Sequence, residues 1–220
     1  MARNRIPFLV LAGLLLAGCA SRTLTVPPPR MLIVDGVIDV RFVVPNGGWI
    51  FTREPSETIV RQMIDHLREE FATAGRRASD AQLAEIARQR LAVNEGFLVN
   101  PESEAYLMID FRRFRPGEKV PGSRDLTASA KGAELALRSE AGVTSVSSRI
   151  RRFPVPGSLH ACRTDIDYLL HETPRKFIGI IGATETHKFY FYFNDPLRDP
   201  LDSSRMDRVF DSLVLGGPGD

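Results

Sequence analysis

The chain has 220 residues, with 29 Lys and Arg against 27 Asp and Glu, for a formal charge of +2. Apolar residues are 43% and charged residues 25% of the chain, which excludes a disordered chain, a collagen-like chain and a polytopic membrane protein. Two cysteines exclude a disulfide framework and a four-thiolate zinc site, and the charge is too small to argue for nucleic acid as a partner. A chain of this length buries about 70% of its unfolded surface without a disulfide or metal staple.

The N-terminus reads as an address. Arg3 and Arg5 precede an apolar run from Ile6 to Leu16, and no acidic residue occurs before Asp35. That run is shorter than the roughly 20 residues of a bilayer span and has the length of a signal-peptide apolar region. It ends in Leu16-Ala17-Gly18-Cys19, which resembles the lipobox of bacterial prolipoproteins. The resemblance implies cleavage after residue 18 and acylation of Cys19, with palmitate-type chains anchoring the protein to a membrane; more than one chain makes such attachment stable. The other reading is an ordinary secretory peptide with Cys19 incidental. Ala20, where an Asp would mark inner-membrane retention, points to an outer-membrane lipoprotein facing the periplasm. Residues 19–30 read as the anchor and a short tether, because Pro27-Pro28-Pro29 forces polyproline II. Cleavage removes Arg3 and Arg5, so the mature chain balances its charges and the slight basicity belongs to the signal peptide.

The body, residues 31–215, reads as one α+β domain. Leu32 to Val34, the turn Asp35-Gly36 and Val37 to Val44 predict a β-hairpin, with Ile38, Val40, Phe42 and Val44 on one face. Trp49 to Phe51 predicts a short strand. Ile59, Val60, Met63, Ile64, Leu67 and Phe71 recur at helical spacing, so 56–71 predicts a helix. Ser79 and Gln82 form a capping box for a second helix ending at Leu91. Gly96 to Val99 and Ala105 to Phe111 predict a hairpin. Asp125 is the expected cap of a helix through Ala141, whose apolar face carries Leu126, Ala130, Ala133 and Leu137. Strands follow over 144–153, 159–170, 177–183 and 188–194. The run Phe189-Tyr190-Phe191-Tyr192-Phe193 is aromatic on both faces, so helices are expected on both sides of the sheet. Asp202 or Ser203 is the expected cap of a last helix, and 216–220 the expected disordered tail.

The approach of Phe42 to Pro45 into Gly48-Trp49, the helix before a meander of long strands, and the terminal Phe210-Asp211-Ser212 resemble the PsbP/Mog1-like fold, an antiparallel sheet between helical layers. That resemblance implies a non-enzymatic binding or assembly module, a class that includes bacterial lipoproteins.

Candidate chemistry is sparse. His160 and Cys162 share a strand face, and Asp165 and Asp167 fall on the other, so one strand cannot present them all to a metal. A buried inert thiol is the simpler reading of Cys162; the alternative is a cysteine-dependent hydrolase using Cys162 and His160. Zincin, nucleophile-elbow, dinucleotide and P-loop motifs are all absent from the sequence. No catalytic residue, metal ligand or cofactor is therefore assigned. Gly179 and Gly182 lie in an apolar strand and read as close-packing positions. Arg112, Arg113, Arg151 and Arg152 would form a basic surface if their strands were neighbours, and with Trp49 they are the candidate partner surface. Three functions remain: an envelope binding module with a protein or envelope component as partner, a small-molecule or lipid binder with a pocket lined by Trp49, Phe189, Phe191 and Phe193, and the hydrolase.

Overall fold

Three layers organise the chain, seen in a computed structural model that describes residues 29–217. The signal residues 1–18, Cys19, the tether up to residue 28 and the tail 218–220 lie outside the described residues. The elements are β1 (Pro29–Val34), β2 (Ile38–Val43), β3 (Ile50–Thr52), α1 (Glu57–Thr73), α2 (Asp80–Leu91), β4 (Gly96–Val99) and β5 (Tyr106–Arg113). Then come α3 (Ser123–Arg138), β6 (Val143–Arg152), β7 (His160–Leu170), β8 (Thr173–Ala183), β9 (His187–Asp195), α4 (Asp202–Asp211) and β10 (Val214–Gly216).

The middle layer is a seven-stranded antiparallel sheet in the order β3-β4-β5-β9-β8-β7-β6. On one face lie α4 and a three-stranded sheet in the order β1-β2-β10. On the other lie α1 and α3, with α2 packed beside α1 and its Leu91 reaching Phe97 and Val99. The helices expected on both faces are therefore present. The N-terminal hairpin adds a small sheet of its own rather than extending the large one.

Local chemistry places most of these elements. Asp35 and Gly36 both have positive φ, 50° and 67°, and Val37 N donates to Val34 O at 2.9 Å, which is the hairpin turn that matches strand twist. Ile38, Val40 and Phe42 are buried on one face of β2. Ser56 caps α1, and Ser79 with Gln82 closes a capping box on α2.

The core between the two sheets is aromatic. Phe189, Phe191 and Phe193 point from β9 toward the small sheet and are fully buried. The Phe189 ring lies 5.8 Å from that of Phe111 and 5.9 Å from that of Phe191. It occupies the space above Gly182, its partner in β8, where an added Cβ would stand 2.1 Å from the ring. Each such phenylalanine contributes about 1.5–3 kcal/mol by leaving water.

Some boundaries differ from expectation. β1 begins at Pro29, inside the expected tether; it is an edge strand, where a proline at the first position removes no needed donor. Gly216, placed in the tail, belongs to β10, which pairs with β2 through Leu215 and Val40. Three residues are too few to show alternation, so only the free edge of β2 reveals this strand. Asp125 does not cap α3: Gly122 is the cap, and Asp125 three residues on accepts its N–H at 2.9 Å. Asp202 and Ser203 lie inside α4, behind Leu201. Ser212 bonds the end of α4 to β2 by accepting from Val43 N at 2.9 Å. No helix among the described residues is long and apolar enough to cross a membrane.

Candidate functional site

The helical face of the large sheet is incompletely covered, because α1 and α3 stand apart on it. The N-terminal half of α3 seats Leu126 and Ala130 on Cys162 and Ile181. Its C-terminal half presents Ala133, Ala136 and Leu137 to the cleft. On the far side, α1 is fixed by Ile59 on Leu91, Phe97 and Val99. A cleft of about 630 Å³ remains between the two helices.

The floor of this cleft is made of strand residues that alternate with the aromatic core. Tyr106 and Met108 come from β5, Tyr192 and Asn194 from β9, Phe177 and Arg175 from β8, and Ile166 and Tyr168 from β7. The rings of Phe177 and Tyr192 lie 5.9 Å apart. All of these except Ile166 are half-buried rather than sealed. The rim is ionic. Glu104 accepts from Arg61 and Arg198, each at 2.9 Å, at one end. At the other, His171 Nε2 lies 3.1 Å from Glu69 Oε1, and His66 Nδ1 lies 3.9 Å from Glu140 Oε2.

Arg175 differs from the other cations of the cleft. Arg61, Arg198 and His66 each face a carboxylate. Among the described residues, Arg175 faces none within ion-pair distance, and its buried Nε has no hydrogen-bond partner. It sits directly opposite Tyr168 in the β7–β8 register. Burial pushes the Tyr168 hydroxyl above its ordinary range, the nearby Glu140 charge adds to this, and Arg175 opposes it. Burial likewise raises Tyr106, with Arg175 again opposing, and raises Tyr192, with Tyr190 and Asp110 adding. The three phenols are therefore neutral hydroxyls, able to donate hydrogen bonds at neutral pH. Burial also raises the Glu140 carboxyl, with His66 opposing and Glu69 reinforcing.

The residues singled out from sequence fall elsewhere. Trp49 is 6% exposed; it packs in the core and donates from Nε1 to Asp202 Oδ1 at 3.2 Å. Trp49, Phe189, Phe191 and Phe193 do not line the cleft; they pack into the core on the opposite face of the sheet. Arg112 and Arg113 are on β5, and Arg151 and Arg152 on β6, four strand steps or roughly 19 Å away. They make no single basic surface. Arg112 pairs with Glu118, and Arg151 lies 3.7 Å from Asp165 beside an open basin that also holds Arg163, Lys176 and Asp207.

Arg163, on the same strand face as Asp165, is buried. Burial works against its charge, but bonds to Asp165 and Asp207 at 2.5 and 2.7 Å hold its pKa above the ordinary value. Cys162 is 3% exposed, and burial pushes its thiol pKa up. His160 is exposed, with Nδ1 3.4 Å from Ser123 Oγ. These are the properties of a packing thiol, not of an activated one. No cluster of His, Cys, Asp and Glu suited to a metal occurs among the described residues.

Tyr106, Tyr168, Arg175 and Tyr192 were not legible as a group. One signal existed: the aromatic run of β9 places Tyr190 and Tyr192 opposite the phenylalanines, so the second face also had to meet apolar surface.

The architecture is an α+β sandwich in which an antiparallel sheet carries a sealed aromatic core on one side and an open tyrosine-lined cleft on the other. It is a PsbP-like fold. The chain is similar to the solution structure of cyanobacterial PsbP (CyanoP) from Synechocystis sp. PCC 6803, with a TM-score of 0.50 and 12% identity over 90% of this chain and 97% of that one. At that identity the likeness concerns the fold alone. No protein family and no curated protein matches the chain.

Proposed function

We propose that this protein is a lipid-anchored, non-enzymatic binding module of the bacterial cell envelope, and that the cleft between α1 and α3 is its binding site. The cleft carries this reading. Its volume of about 630 Å³ falls in the range of small-molecule sites, and its aromatic floor with a few polar groups has their composition. The lipobox at Leu16 to Cys19 supports the anchor, and Ala20 supports the outer membrane. The hydrolase alternative draws no support from a buried thiol of raised pKa. Two measurements test the proposal. In a Gram-negative host the wild type should fractionate with membranes, and Cys19→Ala should not. In native mass spectrometry, protein extracted from the envelope should carry a non-covalent small molecule that Ala133→Trp, which fills the cleft, loses. A Cys19→Ala chain that stays with the membrane refutes the anchor; a wild type that never carries added mass refutes the binding site.

A further inference from the structure

We infer that the cleft takes an amphipathic carboxylate, with its head at Arg175 and its apolar body along Phe177, Met108 and Tyr192. This rests on the reading of the cleft as a binding site and assigns the ligand's chemistry.

The argument begins with an unexplained cost. Arg175 is half-buried among tyrosines and a phenylalanine, and its buried Nε bonds nothing, which leaves the cost of one unmade hydrogen bond. The fold draws no compensation from it. Among the described residues Arg175 pairs with no carboxylate, whereas the buried Arg163 of β7 pairs with two. An apolar residue at 175 would pack against Tyr168 without that cost. An anionic ligand supplies the missing partner.

The head group follows from charge and geometry. One guanidinium presents a planar fork that matches a carboxylate. Tyr168, opposite Arg175 in the β7–β8 register, and Tyr106, on the same cleft floor, are hydroxyls able to donate further bonds to an acceptor there. A single cation balances one negative charge. A phosphate dianion would need a second. The rim acids Glu69, Glu104 and Glu140 are held by Arg61, Arg198, His171 and His66, which keeps them off Arg175. The body follows from the floor: the rings of Phe177 and Tyr192 lie 5.9 Å apart and half-buried, an apolar surface that gains by being covered.

Two sources offer this chemistry, a fatty acid and an aromatic acid. The test uses the full-length Cys19→Ala chain, which has no acyl chains of its own to enter the cleft. The neutral fluorophore N-phenyl-1-naphthylamine reports occupancy, and Ala133→Trp should abolish its signal. Laurate or 2-naphthoate should displace it at concentrations at least tenfold below those of 1-dodecanol, dodecylamine and dodecyl phosphate. The better of the two acids identifies the body. Arg175→Gln should keep fluorophore binding and lose the tenfold preference for carboxylate. Should that variant fail to fold, Arg175→Lys, which keeps the charge and loses the fork, should lose most of the preference. If the fluorophore binds but dodecanol or dodecyl phosphate competes as well as the acids, or Arg175→Gln changes nothing, the carboxylate assignment is wrong and the cleft stands. If neither the fluorophore nor the acids bind the wild type, the binding-site reading falls and this inference with it.

Discussion

Gly182→Ala tests the packing that closes one face of the central sheet. The added methyl would stand 2.1, 2.6 and 2.7 Å from three atoms of the Phe189 ring. That ring is fully buried and held by Phe111 and Phe191 at 5.8 and 5.9 Å, so it has no rotamer to retreat into without moving them. Overpacking of this kind costs about 1–3 kcal/mol, and a ring trapped on two sides belongs at the upper end. Lower entropy of the unfolded chain returns about 0.5–1 kcal/mol. The net loss is about 2 kcal/mol, and for a domain of this size the melting temperature should fall by about 4–8 °C. Circular dichroism or calorimetric melting reads it directly. Gly132→Ala is the control: Gly132 lies within α3 with nothing within 4 Å of its added Cβ, so the same methyl should raise the melting temperature by a few degrees. Phe189→Leu added to Gly182→Ala should recover part of the loss, because the two positions couple through one volume. If Gly182→Ala melts within 1 °C of wild type, the ring does not lie over the glycine and the reasoning fails.

Three further outcomes are expected. Asp202→Ala removes the buried oxygen that accepts from Trp49, Asn100 and Arg205 at 3.2, 3.3 and 3.1 Å. The stranded donors should cost about 3 kcal/mol, read as a lower melting temperature with red-shifted Trp49 fluorescence; unchanged fluorescence would count against the network. Cys162 should resist iodoacetamide at pH 8 in the native protein and react fully in urea, and native labelling would contradict its burial. Burial holds the Asp195 carboxyl above its usual range, with bonds from Ser203 and Leu197 N opposing. The native chain therefore keeps that proton to higher pH than the unfolded chain. Its contribution is fully present below about pH 3.9 and is lost as pH rises through the native value. Asp195→Asn should accordingly gain stability relative to wild type at pH 7 but not at pH 3, and a pH-independent difference would refute the assignment.

Elements that depend on neighbours in sequence were legible. The Asp35-Gly36 turn, the capping box at Ser79, the stripe of α1 and the order of the four long strands all rest on spacing of a few residues, and each is where the pattern puts it. Elements defined by a distant partner were not. β10 exists because β2 offers a free edge, and Pro29 joins β1 because that strand is itself an edge. Trp49 looked like a surface anchor because an isolated tryptophan after Gly47-Gly48 carries no periodicity. Only Asp202, 153 residues away, shows that it faces the core.

The candidate site divides in the same way. By itself the sequence determined that the body folds as α+β with helices on both faces of an antiparallel sheet, because apolar periods of two and of 3.6 are written along the chain. Only the tertiary structure decided which aromatic face is sealed and which is open. The phenylalanines of β9 meet a complete small sheet, while Tyr192, Phe177 and Arg175 meet a gap left between α1 and α3. A gap belongs to no residue. It is set by the distance between two helices whose positions are fixed by Ile59 on one side and by Leu126 and Ala130 on the other.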